Sequence, residues 1–183
     1  MPPVIPVSRL TCVSAADLNQ HRRRNFQPGP GVEKEHNGNY RFPLLSGRTD
    51  IEPPAVYTLS QRGDEYQLAN IMTGESSNAE GRFWLVIGVA SPNVVHLAAW
   101  SRVYGPAAVS SYIAVAQAGS ALQPDLSVYF AGAAHFNKGR LNAWTHVSED
   151  YQVPVWAHAS NLSPQALRLL PAQSFSRYGH GFF

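Results

Sequence analysis

The pattern of hydrophobic and polar positions changes along this chain, and in the middle part it predicts short strands. Three segments between residues 40 and 71, YRFPLL, AVYTLS and EYQLANI, are aromatic or β-branched and are separated by turn residues. The segment RFWLVIGVA, residues 82–90, is apolar almost throughout, which is typical of a central strand buried on both faces. These patterns predict a sheet built from several short strands.

Short helices are predicted in three places. The first follows the spacing of a capping box, Ser14 to Asp17, and should run to about Arg24. The second, residues 107–118, is alanine-rich and is followed by a glycine that can close a helix. The third, residues 164–170, begins with a Ser-Pro pair, a cap followed by proline at the first helical position.

Together these elements predict a single α+β domain over residues 1–183, with an antiparallel sheet and a few short helices. Residues 1–8 form a proline-rich lead that is expected to be extended. Residues 26–39 are rich in proline, glycine and charge, which predicts a mobile loop. Residues 73–81 are predicted to form a second polar loop.

The segment from Phe130 to Pro154 predicts a β-hairpin. A four-residue loop, residues 137–140, places Phe136 opposite Leu141, and both side chains are then expected in the core. The opposite face would carry Tyr129, His135, Asn142, Trp144 and His146, with Glu149 and Asp150 just beyond its end. Such a face is either an ordinary outer face of a sheet or the floor of a cleft in which a histidine serves as a general base.

The composition excludes several classes of protein. Of 183 residues, 44% are apolar and 14% are charged, so the chain can bury one ordinary core and general disorder is not expected. The net charge of +2 does not favour nucleic acid as a partner, and no apolar segment approaches the roughly 20 residues of a membrane span. The N-terminus lacks a classical signal peptide. The one cysteine, Cys12, cannot form an intramolecular disulfide.

The last third of the chain resembles a known group of bacterial proteins. The pattern F-x-x-G-x-L-x-x-W, followed by S-x-x-Y-x-x-P, is formed by Phe136, Gly139, Leu141, Trp144, Ser148, Tyr151 and Pro154. It resembles a segment near the C-terminus of many uncharacterised bacterial proteins, among them terminal domains of Rhs-type and insecticidal Tc-type toxins. In those segments the middle usually reads S-G-H-Y, whereas here it reads S-E-D-Y. The resemblance implies a toxin or secreted effector that is translocated into a target cell, with a target-cell protein, a carrier toxin or an immunity protein as partners.

One hypothesis for the activity is ADP-ribosyl transfer, with NAD as the co-substrate. That chemistry needs an arginine on an early strand, a serine-rich strand and a glutamate that stabilises an oxocarbenium-like transition state. Arg41, the pair Ser76 and Ser77, and Glu149 occur in this order, and toxins with this activity are often attached to Rhs and Tc carriers. In this hypothesis Arg41 and Trp144 contact the NAD and His135 belongs to the catalytic group. The alternative for Arg41, Ser76, Ser77 and Glu149 is an ordinary surface role.

Two further hypotheses belong to other classes. Cys12 and His135 would form a nucleophile and base in a papain-like hydrolase or deamidase, with Asn142 or Asp150 orienting the histidine. A lone cysteine is more commonly a small buried apolar side chain. The other hypothesis is a non-enzymatic binding or delivery module. The seven histidines show no H-x-x-x-H or H-E-x-x-H spacing, so no metal is predicted.

Overall fold

Seven antiparallel strands form the main sheet in the computed structural model, which describes residues 15–118 and 124–179. The strands of this sheet are β3 (Tyr57–Arg62), β4 (Glu65–Asn70), β5 (Ser76–Asn78), β6 (Gly81–Gly88), β7 (His96–Ala99), β8 (Val128–Asn137) and β9 (Arg140–Thr145). Their order across the sheet is β5-β4-β3-β7-β6-β8-β9. Strands β1 (Glu33–Lys34) and β2 (Tyr40–Arg41) form a separate two-stranded sheet. The α+β fold predicted from the sequence is therefore confirmed.

The helices lie mostly where the sequence patterns predict them. They are α1 (Ala15–Arg24), α2 (Pro106–Ala118), α3 (Ala157–Ser160) and α4 (Pro164–Leu169), followed by a single 3-10 turn, Ala172–Ser174. The Ser163 hydroxyl caps α4 by accepting a hydrogen bond from Ala166 N at 3.2 Å. Among the residues that the structure describes, no helix is both long enough and apolar enough to cross a membrane.

The apolar strand β6 lies inside the sheet, since it pairs with β7 along one edge and with β8 along the other. Its residues 83–87 are all buried, as the sequence predicts. On one face of the sheet the Phe136 ring packs against Phe83 and Tyr66, with ring centroids 5.9 Å and 5.5 Å apart. Helix α2 packs on β6 and β7 from the other side. The sheet is therefore buried on both faces near its centre.

The hairpin of β8 and β9 turns more tightly than predicted. Its loop contains two residues, Lys138 and Gly139, with φ of 51° and 77°, the left-handed values that a type I′ turn requires. The tip also binds the other end of the sheet. Gly139 N donates to Ala79 O at 2.9 Å, and Gly139 O accepts from Tyr66 N at 2.7 Å. The hairpin tip therefore connects β8 and β9 to β4.

A bulge in β9 changes which residues share a face. Phe136 is opposite Leu141, as predicted, but His135 is opposite Ala143, so Asn142 is an extra residue in β9. An extra residue moves every following side chain to the opposite face. The prediction that Trp144 lies with His135 on the outer face is therefore wrong, whereas Trp144 and His146 stay on one side, where both rings lie near Phe175.

Trp144 lies opposite Ala134, and its side chain is fully buried. Its ring packs edge-on against Phe130 at 5.2 Å and Phe175 at 4.9 Å, and its Nε1 donates to Pro171 O at 2.8 Å. Phe136 is fully buried, as predicted, whereas Leu141 is only partly buried. Trp144 thus belongs to the core and has no free face for NAD.

Two segments predicted to be loops contain regular structure. Strands β1 and β2 pair at the end of residues 26–39, and Phe26 at the start packs its ring against Tyr40 at 5.2 Å and Trp156 at 5.1 Å. Ser76, in the second predicted loop, begins strand β5 at the edge of the sheet. The sequence pattern missed β5 because its residues are small, polar and exposed. The proline-rich lead, residues 1–8, and the capping serine of α1 lie outside the described residues.

Candidate functional site

The chain that follows β9, residues 146–154, separates two open clefts on the surface. One cleft, of about 530 Å³, has a mainly apolar lining that includes Phe42, Pro43 and Leu45, together with His146. The other, of about 470 Å³, is here called the Trp100 cleft. The residues of the Trp100 cleft used below are Arg48, Trp84, Trp100, Arg102, Tyr104, Glu149 and Asp150.

The aromatic wall of the Trp100 cleft comes from β6 and from the chain that leaves β7. Trp84 is on β6, and its ring lies 6.0 Å from the ring of Trp100, which follows the last residue of β7. Trp84 Nε1 donates to Ser101 O at 3.1 Å, and the Tyr104 hydroxyl donates to Ala99 O at 2.5 Å. These bonds hold the connection between β7 and α2 against the sheet. Trp84 is thus held on a strand, and two hydrogen bonds hold the connection that carries Trp100 and Tyr104.

Positive charge lies on and around the aromatic wall. The guanidinium of Arg82 lies 4.6 Å from the centre of the Trp100 ring, in the geometry of a cation–π contact. Arg102 and Arg48 are exposed lining residues, and Arg48 lies 3.4 Å from the Asp50 carboxylate. Glu149 is exposed on the same cleft. The cleft thus combines aromatic surface, exposed arginines and one exposed carboxylate.

Asp150 is the buried acid at the base of this cleft, and it holds the start of α2. Its Oδ2 accepts from Ala107 N at 2.8 Å, in the first turn of α2. Its main-chain O accepts from Leu45 N at 3.0 Å. Burial raises the pKa of the Asp150 carboxyl, the hydrogen bond from Ala107 opposes that shift, and the neighbouring Glu149 adds to it. The carboxylate therefore replaces the cap that α2 lacks in its own sequence.

Two glycines make room for the Asp150 carboxylate. A Cβ at Gly47 would lie 2.4 Å from Oδ1, and a Cβ at Gly105 would lie 2.4 Å from Oδ2. Gly47 also has a φ of 126°, which other residues rarely adopt. Any side chain at either position would push the carboxylate away from α2. The position of the Asp150 carboxylate therefore requires glycine at both Gly47 and Gly105.

Arg41 does not lie in the Trp100 cleft. Its guanidinium pairs with the Asp125 carboxylate and lies 3.8 Å from Glu35, and the Tyr129 hydroxyl donates to the same Glu35. Burial, and next the bond to Glu35, raise the pKa of Tyr129 to about 12. Two carboxylates therefore already neutralise Arg41, and a phosphate would have to displace them.

Ser76 and Ser77 lie far from Arg41. Both serines are exposed on β5, and nearby Ala79 bonds to the tip of β8 at Gly139. Phe42, next to Arg41, instead bonds to Val128 at the start of β8. The ten residues of β8 separate these two contact points by about 30 Å. The structure therefore does not bring Arg41, the serine pair and Glu149 into one cleft.

His135 and Cys12 are the remaining predicted site residues. His135 is partly exposed on β8, opposite Arg82, and its face of the sheet is the one that carries Trp84. It lies beside the Trp100 cleft without lining it. Cys12 lies outside the described residues. The contact between Cys12 and His135 that the hydrolase hypothesis requires is therefore outside the described part of the structure as well.

Two other histidines flank one aromatic ring near the end of the described chain. The His158 ring stacks on Phe175 with centroids 3.8 Å apart, and the His146 ring lies 5.9 Å from the same phenylalanine. Each Nδ1 meets a backbone carbonyl, at 2.7 Å for His146 and 2.5 Å for His158. Burial lowers the pKa of His158. Across residues 15–118 and 124–179, no group of three His, Cys, Asp or Glu could hold a metal ion.

The sequence analysis missed the aromatic part of the cleft and the position of Asp150. Trp84 and Trp100 are sixteen residues apart, and only the antiparallel pairing of β6 with β7 brings them together. A local signal did exist for Asp150. Helix α2 begins at Pro106 after Gly105, with no Ser, Thr, Asp or Asn to supply a side-chain cap, which leaves room for a cap from elsewhere in the chain.

No protein-family model matches this chain, and the searches of curated proteins and of solved structures found no match either.

Proposed function

We propose that this chain is a binding module of a bacterial toxin or secreted effector, and that it recognises a target-cell protein through the Trp100 cleft. The observation that carries the proposal is the composition of the cleft, in which Trp84, Trp100 and Tyr104 lie beside exposed Arg48 and Arg102. Tryptophan, tyrosine and arginine are the residues that most often dominate the binding energy of protein interfaces. The toxin context comes from the pattern in the last third of the chain.

The size and surroundings of the cleft suit a protruding side chain or short loop of a partner. Its volume of about 470 Å³ lies within the range of about 300–1,000 Å³ that is usual for ligand sites. Val103, which is 57% exposed, adds apolar surface at the same cleft. The arginines favour an acidic group on the partner, and a partner carboxylate could accept two hydrogen bonds from one guanidinium.

Binding is a better explanation of this arrangement than ADP-ribosyl transfer. The transfer hypothesis needs Arg41, a serine hydroxyl and Glu149 around one NAD molecule, but these groups lie at three separate places. Trp144, the expected aromatic contact for NAD, is fully buried. Glu149 remains available as a hydrogen-bond acceptor for a partner. A carrier toxin for delivery and an immunity protein for self-protection would be the further partners.

The proposal is tested by reversing one charge in the cleft and one outside it. Arg102 is exposed in the Trp100 cleft, and Arg62 is also exposed, at the far end of β3. We expect Arg102→Glu to retain about tenfold less of a specific target-cell protein than the wild type. That change corresponds to a loss of about 1.4 kcal/mol in binding free energy. Arg62→Glu should retain the wild-type amount.

The measurement is quantitative mass spectrometry of proteins captured from a target-cell lysate by the immobilised domain and the two variants. Both substitutions are at exposed positions, where changes in stability are usually within about 0.5 kcal/mol, and melting curves check this. An identical set of captured proteins for the wild type and Arg102→Glu would exclude the cleft as the recognition site.

A further inference from the structure

A separate cavity lies beneath helix α2 and is distinct from both clefts. It is bounded by β6 and β7 of the sheet on one side and by α2 on the other, with a volume of about 140 Å³. Its walls are mostly apolar and include Val86, Ile113, Ala114 and Leu126. An engineered apolar cavity of about 150 Å³ in another protein binds benzene; the cavity under α2 has a similar volume but is open to solvent beside the exposed residues Ala90, Gln117 and Pro124. The cavity under α2 is therefore large enough for one small ring.

His96 is the most deeply buried polar residue in the lining of this cavity. It lies on β7 opposite Val86, and only 5% of its surface is exposed. Burial lowers its pKa to about 4, so the ring is neutral at pH 7, with one N–H donor and one N acceptor. Within the described part of the chain, no protein group bonds to the His96 ring, and its nitrogens are not closed off from solvent, so they can pair with water or with a ligand.

Ser110 supplies a second polar atom to the same cavity. It is buried on α2, and its Oγ lies 2.9 Å from the hydroxyl of Tyr151. The Tyr151 hydroxyl also lies 2.6 Å from Leu126 O, so it is held between α2 and the start of β8. The cavity thus presents an imidazole and a hydroxyl on mostly apolar walls, and Ser91, Gln117, Asp125 and Ser127 also belong to its lining. An apolar molecule of this size would leave the His96 ring unpaired, whereas a molecule with one polar atom would pair with it.

We propose that this cavity is a binding site for a small hydroxylated ring compound of the phenol class, whose apolar ring contacts Ile113 and Leu126 and whose hydroxyl bonds to His96. The hydroxyl can donate to the unprotonated nitrogen of the neutral imidazole or accept from its N–H. Water competes for the polar groups of the lining, whereas the mostly apolar walls favour a ring over water. The site is independent of the partner-binding function proposed for the Trp100 cleft.

The test compares phenol with toluene, which has a similar shape but no hydroxyl. We expect phenol to bind the wild-type domain in a calorimetric titration with an affinity about fivefold higher than that of toluene, the difference expected from one net hydrogen bond. His96→Leu should remove this preference. Equal affinity of phenol and toluene for the wild type, or no binding of phenol, would overturn the proposal.

A pair of variants on α2 locates the site. Ala114→Leu fills the cavity and should abolish phenol binding, whereas Val115→Leu changes a neighbouring side chain that is 61% exposed and should leave binding unchanged. Phenol binding that is unaffected by Ala114→Leu would place the ligand elsewhere and overturn the proposal.

If Ala114→Leu does not fold, NMR on the wild type decides the question. Phenol protons should give nuclear Overhauser effects to the Ile113 methyl groups, and their absence at saturating phenol would equally overturn the site.

Discussion

Replacing Trp144 by alanine should destabilise the domain by about 3–5 kcal/mol, the usual cost of removing a fully buried large aromatic side chain. The Trp144 ring lies against Phe130, His158 and Phe175, so its loss leaves a cavity between β8, β9 and the C-terminal segment. The hydrogen bond from Nε1 to Pro171 O is lost as well. Urea denaturation followed by circular dichroism would measure the change, unless the variant fails to fold at all.

Trp100→Ala is the matched control for this substitution. Trp100 is partly exposed in the cleft, so we expect its removal to cost much less stability than the removal of Trp144. The contrast separates the two tryptophans by role, because Trp144 belongs to the core and Trp100 to the surface. A Trp144→Ala variant with wild-type stability would show that the bulge at Asn142 is wrong and that the predicted outer-face position of Trp144 is right.

Acidification from pH 6.5 to pH 4 should cost the folded domain about 3 kcal/mol through His96 alone. Burial lowers the pKa of His96 from 6.5 to about 4 in the folded state, so the unfolded chain binds the proton first. Stability from this group is complete above pH 6.5, falls as the pH drops towards 4 and changes little below that. Each pH unit between the two pKa values is worth about 1.4 kcal/mol.

The variant His96→Leu isolates this contribution. Asp125, at the edge of the cavity, is the one acidic group in its lining, and its carboxylate already pairs with Arg41. The residues of α2 that line the cavity, Ser110, Ile113, Ala114 and Gln117, are uncharged. The difference between the wild-type and His96→Leu stability curves over pH 4–7.5 should therefore report His96. Parallel curves would mean that the imidazole is not buried in its neutral form.

Local patterns predicted much of the fold, and they did so where the signal lies within one element. Helix α4 was predicted because its cap and first proline are adjacent in sequence, and β6 because its apolar run is continuous. Phe136 was correctly predicted to be buried because it lies next to the turn, where the register of a hairpin is set. Further from the turn the prediction for Trp144 was wrong, since one bulged residue reverses every later side chain.

The candidate site was much harder to predict, because its residues come from distant parts of the chain. Gly47, Trp100, Gly105 and Asp150 meet only after β6, β7 and α2 have packed together. Arg41 and Ser76 occur in the order that an ADP-ribosyltransferase needs, but the order of residues along a chain does not determine their distances in the fold. The fold places them near opposite ends of β8. Glu149 was predicted to be a site residue. It lines the Trp100 cleft, but Arg41 and the serine pair are not its neighbours there.

The most direct test of the central claim is site-specific photocrosslinking from the Trp100 cleft. A photoreactive phenylalanine analogue at Val103, which is exposed in the cleft, should form a covalent adduct with a target-cell protein. The same analogue at Gln61, exposed near the far end of β3, should form none. We expect an adduct at position 103 that disappears when Arg102→Glu is added. Adducts of equal yield at positions 61 and 103, or none at position 103, would contradict the proposal that this cleft binds the target.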